Sequence, residues 1–288
     1  MTDELQVSPK RDGISLALYQ IFVTLICQIV LFILLQLTIA PIVIFDKLPE
    51  EFWELSESAK MDVQKEIMES VQQDIKDNPG SITLMYHTIL VQKSPSIFLL
   101  NNFLWFFSFV VVGYVLFTWK DIHTLPDFGV SLGGSEILKG IFVGFIIFII
   151  ITSFSIFFYY FDYKPPVGEF QKILFSNLRD NSYLLGWAIY SIGILTGIIE
   201  ELYFRGYLLT QFVQNDLEKF GLFFTSSLFG ILHYSPEASP LVPIFITLVG
   251  YILGRAYLVS GNIWVSMIGH GIYNSLGIFT AYFVGDKL

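Results

Sequence analysis

A chain of 288 residues that is 54% hydrophobic, 17% aromatic and only 14% charged, with a mean hydropathy of +0.64, is too apolar for a soluble domain of this size. Its net charge of −9 argues against nucleic-acid binding, which needs clustered Lys and Arg to replace the counterions around phosphate. Cys27 is its only cysteine, which excludes intrachain disulfides and cysteine-cluster metal sites.

Residues 1–13 form a polar N-terminal segment. The apolar run Ile14 to Phe45 that follows is longer than the core of a cleavable signal peptide and reads as a retained membrane helix, ended or kinked at Pro41. Residues 46–80 change character. Among many Glu, Asp, Lys and Gln, the residues Val63, Ile67, Val71 and Ile75 recur at every fourth position, which predicts an amphipathic helix. Its acidic face would be repelled by anionic headgroups, so a solvent-side insert is expected rather than a helix lying on the bilayer.

Further spans are expected at Ile97 to Thr118 and Ile141 to Phe161, separated by a turn-rich connection containing Leu125 to Gly129 and Gly133-Gly134. Asp162 to Asn181 reads as a charged loop with Pro165 and Pro166. A span from Tyr183 to about Phe204 ends in the acidic pair Glu200-Glu201. Leu222 to Tyr234, Leu241 to Leu258 and Ile263 to Phe283 then form apolar helices whose short links favour antiparallel neighbours. Gly250 and Gly254 make a small-xxx-small pair suited to close packing.

The expected fold is therefore an all-α polytopic transmembrane helical bundle of about seven spans. Residues 14–182 supply N-terminal membrane helices carrying the 46–80 insert, and 183–285 form a compact core. Lys10 and Arg11 favour a cytoplasmic amino terminus only weakly, because later basic residues fall on both sides. Orientation is left open.

Ionised groups at membrane depth are expensive, so they are usually paired and mark a functional site. Glu201 and Arg205 stand at i and i+4, on one helical face, and are expected to pair. Glu200 is rotated about 100° away and need not share the Arg. Of the four histidines, His233 and His270 fall well inside predicted helices, whereas His87 and His123 lie in or near connections. His270 and Asn274 again share a face. Taken singly, each of these features reads as well as a helix-end salt bridge or an interhelical hydrogen bond. Together, carboxylates, imidazoles and an amide supply a base, a proton carrier and donors to a developing oxyanion.

These residues form three motifs, Glu-Glu-x-x-x-Arg (Glu200, Glu201, Arg205), Phe-x-x-x-His (Phe229, His233) and His-x-x-x-Asn (His270, Asn274). In that order they resemble the motifs of the CPBP intramembrane proteases, a family that includes type II CAAX prenyl endopeptidases and bacteriocin-processing or immunity relatives. The resemblance covers residues 183 to 285. It implies an intramembrane endopeptidase in which Glu200 is the general base, assisted by His233. His270 and Asn274 would stabilise the oxyanion, Glu201 and Arg205 would hold the site in shape, and Phe229 would pack beneath it.

The family has also been described as metalloproteases, and Glu200, His233 and His270 could ligate zinc. No cofactor is favoured, since the chain lacks a His-Glu-x-x-His helix and the charged set accounts for water activation. A Gly-x-Gly-Asp motif is also absent, which disfavours presenilin-type chemistry. The implied partner is a membrane-associated protein or peptide, met within the lipid bilayer by a multi-pass protein of the plasma membrane if the source is bacterial. Two other classes stay open, a non-catalytic scaffold or immunity protein and an ion- or proton-coupled transporter.

Overall fold

The computed structural model describes residues 13–78, 80–111, 114–115, 129 and 131–284. Among them the regular structure is entirely helical. Helix α1 (Gly13–Asp46) runs through Pro41 without ending there. After a single 3₁₀ turn at Glu50–Glu54, Ser56 accepts a hydrogen bond from the Ala59 amide and starts α2 (Glu57–Asp77). Val71 is buried and Ile67 and Ile75 pack beside it, against Ile39 and Val43 of α1. Lys47 and Asp74 pair at 3.1 Å across the same contact. Ile67, Val71 and Ile75 of the predicted amphipathic stripe thus dock the acidic insert onto α1.

Helix α3 (Ser81–Gln92) and α4 (Pro95–Val111) meet at an angle of 112°. Pro95 lacks an amide hydrogen and disfavours helical geometry at the preceding residue, and Ser94 sits at φ −140° and ψ 68°. The expected span Ile97 to Thr118 coincides with α4 as far as Val111. Most of its remainder, and Leu125 to Phe128 of the connection, lie outside the described residues.

Helix α5 (Gly134–Tyr160) follows, and the predicted loop after it contains a helix, α6 (Glu169–Leu178). Phe170, Ile173, Leu174 and Leu178 form its apolar stripe, and Leu174 and Leu178 are buried. Helix α7 (Ser182–Gln214) does not stop at the acidic pair but continues well past Phe204. Its later turns bury Leu208, Leu209 and Phe212, and the pairing of Glu201 with Arg205 removes the reason for the helix to end there.

Three helices close the chain, α8 (Glu218–Ile231), α9 (Leu241–Ser260) and α10 (Ile263–Val284). Gly261, at φ +62°, ends α9 in the left-handed region that only glycine adopts freely. The side chain of Asn262 then accepts from the Trp264 amide at 2.9 Å and opens α10.

Among the described residues, α5, α7 and α9 are long and apolar enough to cross a membrane, and the bent α3–α4 pair makes a fourth if it counts as one span. The expected number of about seven is not reached by this measure. At 14 residues α8 is only about 21 Å long, shorter than the roughly 30 Å hydrocarbon core.

Helix α10 lies between α5 and α7, and glycine faces set both contacts. A Cβ at Gly140 would lie 2.6 Å from Ile268 Cβ, and one at Gly144 would lie 2.7 Å from the Gly269 carbonyl oxygen. On the other side, a Cβ at Gly197 would lie 3.2 Å from the Gly271 amide and one at Gly193 would lie 2.5 Å from Ser275 Oγ. Two small-xxx-small faces therefore let the backbones approach on both flanks of the helix that carries His270 and Asn274.

Candidate active site

Helix α7 is not uniformly α-helical. Ile189–Leu195 and Leu202–Leu209 are π-helical, and the α-helical residues Thr196–Glu201 lie between them. A π turn rotates the side chains that follow it and leaves carbonyls without their usual partner, and such turns are frequent at functional sites. Here side chains take those carbonyls. The Ser191 carbonyl accepts from Thr196 Oγ1 at 3.1 Å and from Asn102 Nδ2 of α4 at 3.2 Å. The Ile192 carbonyl accepts from Asn274 Nδ2 at 3.2 Å, and the Arg205 carbonyl from Thr210 Oγ1 at 2.8 Å. Asn102 Oδ1 also accepts from the Ser191 hydroxyl. The Glu200-Glu201 segment is thus held by hydrogen bonds at both of its ends.

Glu201 and Arg205 are 0% and 1% exposed, and their pair is the charged centre of the core. Arg205 Nη1 donates to Glu201 Oε1 at 2.7 Å, and Nη2 donates to the Gly250 carbonyl of α9 at 2.7 Å. The guanidinium stands 5.0 Å above the Phe229 ring of α8. Gly250 makes this possible. A Cβ there would lie 3.1 Å from Phe229 Cδ1 and 3.4 Å from Arg205 Nη2. The packing role expected for Gly250 is therefore present, joined by a backbone hydrogen bond that its residue type does not signal.

The same Glu201 oxygen contacts His270 Nδ1 at 2.9 Å. A carboxylate beside a guanidinium only accepts, so Nδ1 carries the hydrogen and the imidazole is fixed in orientation. Its other nitrogen, Nε2, lies 3.8 Å from Glu200 Oε2. The Glu200 side chain is 17% exposed where Glu201 is fully buried, and the Oε2 of each is buried without a hydrogen-bond partner among the described residues. Buried polar oxygens are rarely left so, and a reacting group would use such an acceptor.

Phe229 joins the two imidazoles. Its ring meets that of His270 nearly perpendicularly, at 5.8 Å between centroids, and that of His233 at 4.8 Å. His233 itself departs from expectation, because α8 ends at Ile231 and His233 occupies an exposed turn beyond it. Pro236 and Pro240 follow closely and disfavour a continued helix. The i, i+4 spacing still brings the side chain back, and His233 Nδ1 hydrogen-bonds the Phe229 carbonyl at 2.7 Å.

The structure therefore brings Glu200, Glu201, Arg205, Phe229 and His270 into one contact network. It sets His233 at the network's edge and commits one amide hydrogen of Asn274 to Ile192. His87 lies elsewhere, against Phe170 at 5.1 Å, and His123 is outside the described residues. Among the described residues no three His, Cys, Asp or Glu side chains are grouped so as to hold a metal ion. Sequence reasoning missed Asn102, Ser191 and Thr196. An Asn inside the apolar run of α4 was the available signal, since a buried amide needs partners.

Residues 182–276 match a family model, that of the type II CAAX prenyl endopeptidase Rce1-like proteins. The matched stretch begins with the first residue of α7, ends within α10, and contains every site residue named above except Asn102. No curated protein and no solved structure matches the chain.

Proposed function

We propose, from the match of residues 182–276 to the Rce1-like family of type II CAAX prenyl endopeptidases, that the chain cuts a peptide bond of a membrane-associated protein through Glu200 and the imidazoles around it. The family is one of peptidases, and the apolar helices make this chain an integral membrane protein. The finer reading is that the substrate carries a CAAX-type carboxy terminus and that the reaction needs no metal.

In this reading water donates a proton to Glu200 as its oxygen attacks the scissile carbonyl carbon, assisted by His233. The carbonyl oxygen becomes an oxyanion that Asn274 stabilises by donating a hydrogen bond, as His270 does through Nε2 when the imidazole carries a hydrogen on both nitrogens. Collapse of the tetrahedral centre breaks the C–N bond, and the proton held by Glu200 passes to the leaving amine. Glu201 and Arg205 take no proton and hold His270 in place.

One observation carries the proposal: a single Glu201 oxygen is shared between Arg205 and His270 Nδ1. That leaves Nε2 as the nitrogen offered to the reacting centre, beside the unpartnered oxygen of Glu200. The opposite division, with Glu201 as base, would require breaking a fully buried ion pair. The same burial counts against an ion relay through Glu201 and Arg205, since neither group is free to exchange partners.

The test is cleavage of farnesylated and unprenylated CAAX peptides by purified protein. Wild type should release the carboxy-terminal fragment from the farnesylated peptide, and Glu200→Gln should release none. Cleavage by Glu200→Gln at the wild-type rate would remove Glu200 from the role of base. Wild-type cleavage of only the unprenylated peptide would keep the peptidase and discard the CAAX substrate.

A further inference from the structure

Apart from the site above, described residues line a cavity of about 960 Å³ between the ends of α5 and α9, bordered on one side by α6. Its walls are mostly apolar and aromatic, with Ile151, Phe154 and Phe158 from α5 facing Phe245 and Ile246 from α9. Phe245 touches both Phe154 and Phe158, at 5.0 and 5.9 Å between centroids, so the wall is packed. The surrounding chain is tied together, because the Ser239 amide donates to the Pro166 carbonyl at 2.8 Å and joins the α5–α6 connection to the start of α9.

The polar character of this cavity is concentrated in two residues. Lys164 and Lys172 line it, both are exposed, and neither forms an ion pair with a described residue. Glu237 is the acidic group that feels Lys172, but its carboxylate is already bound by the Ser235 hydroxyl at 2.5 Å. Two unpaired cations in a chain of net charge −9 stand at the mouth of an apolar slot. Tyr159 and Tyr163 line it too, as amphipathic rings do at the level of lipid headgroups. The adjoining face of α5 is lipid-like, since only 11% of its most apolar stretch is buried.

We propose that this cavity binds one anionic phospholipid of the surrounding bilayer, with an acyl chain between α5 and α9 and its headgroup phosphate on Lys164 and Lys172. The volume lies at the upper end of the range for ligand pockets, roughly 300 to 1,000 Å³, and suits a long chain. Basic pockets between membrane helices select anionic headgroups over zwitterionic ones. Tyr273, which precedes Asn274 on α10, also lines the cavity.

The experiment is native mass spectrometry of the full chain released from mixed phosphatidylglycerol and phosphatidylcholine vesicles. Wild type should retain one phosphatidylglycerol in about tenfold or greater preference over phosphatidylcholine, from two lysines near the headgroup plane. The Lys164→Ala/Lys172→Ala variant should lose the preference while unfolding at the wild-type temperature in phosphatidylcholine alone. Thr152→Trp, which fills the slot and keeps both lysines, should lose the bound lipid. Equal retention of the two lipids by wild type would overturn the proposal, as would an unchanged preference in the lysine variant. Displacement by glycerol phosphate would reduce the site to a phosphate site, and displacement by a farnesylated peptide would give the cavity to substrate. Either result would also overturn the lipid assignment.

Discussion

Glu201 Oε1 and His270 Nδ1 lie 2.9 Å apart across 69 positions of sequence, and the same oxygen binds Arg205 at 2.7 Å. One carboxylate thus ties α7 to α10 while its arginine ties α7 to the backbone of α9. Glu201→Gln replaces the carboxylate shared by Arg205 and His270 by a neutral amide and leaves the Arg205 charge buried without compensation. It should destabilise the fold by about 3–5 kcal/mol and lower activity with it. Glu200→Gln loses no hydrogen bond and should unfold within about 0.5 kcal/mol of wild type, yet be inactive. Thermal unfolding in detergent compares them directly, and equal destabilisation of the two variants would sink the division of labour.

Gly250 offers a test that touches no ionisable group. A methyl group there meets Phe229 and the Arg205 guanidinium. Gly250→Ala should cost about 1–3 kcal/mol through overpacking, and Gly250→Val more. The cost should fall on Arg205 and Phe229, so activity should decline faster than stability. Unchanged unfolding and turnover in Gly250→Val would show that α8 and α9 are not in the close contact described.

How much of this was legible in the sequence follows from what each residue signals. Val63, Ile67, Val71 and Ile75 announced α2 because a periodic stripe is a local property, and Glu201 with Arg205 announced their pair because four residues is one helical turn. Helix α6 was legible in the same way through Phe170, Leu174 and Leu178, but the nearby charges and prolines masked it. The first π segment of α7, Ile189–Leu195, was not legible, since its carbonyls are met by Asn102 and Asn274, which reach Ser191 and Ile192 from other helices. The end of α8 before His233 was underestimated because the apolar run continues through Tyr234 although the hydrogen-bonded helix does not.

Asn102 therefore deserves its own variant. Asn102→Leu keeps the approximate volume but leaves the Ser191 carbonyl with only Thr196 and strips the Ser191 hydroxyl of its acceptor. A loss of about 1–3 kcal/mol is expected, from buried groups left unsatisfied. Because the π turn sets the rotation of Glu200, kcat should fall further than KM rises, whereas a merely structural role would move the unfolding temperature alone. Asn102→Gln, which restores donor and acceptor at greater reach, should recover part of the activity.

Metal dependence separates two ways of activating water at the same residues. The described residues group no three ligands around one point, and the proposal assigns activation to Glu200. Elemental analysis of active protein should find less than one zinc per chain, and prolonged chelation should leave turnover within about twofold of the untreated enzyme. Stoichiometric zinc whose removal abolishes cleavage and whose return restores it would reassign Glu200, His233 and His270 as ligands. His233→Ala discriminates further. Because His233 is exposed and lies beyond the end of α8, its removal should leave the unfolding temperature within a few degrees of wild type while cutting kcat by about 10²–10⁴, the range of a lost proton-transfer group. Should zinc be bound instead, the same substitution would lower metal occupancy in parallel with activity, and the ratio of turnover to bound zinc would stay constant.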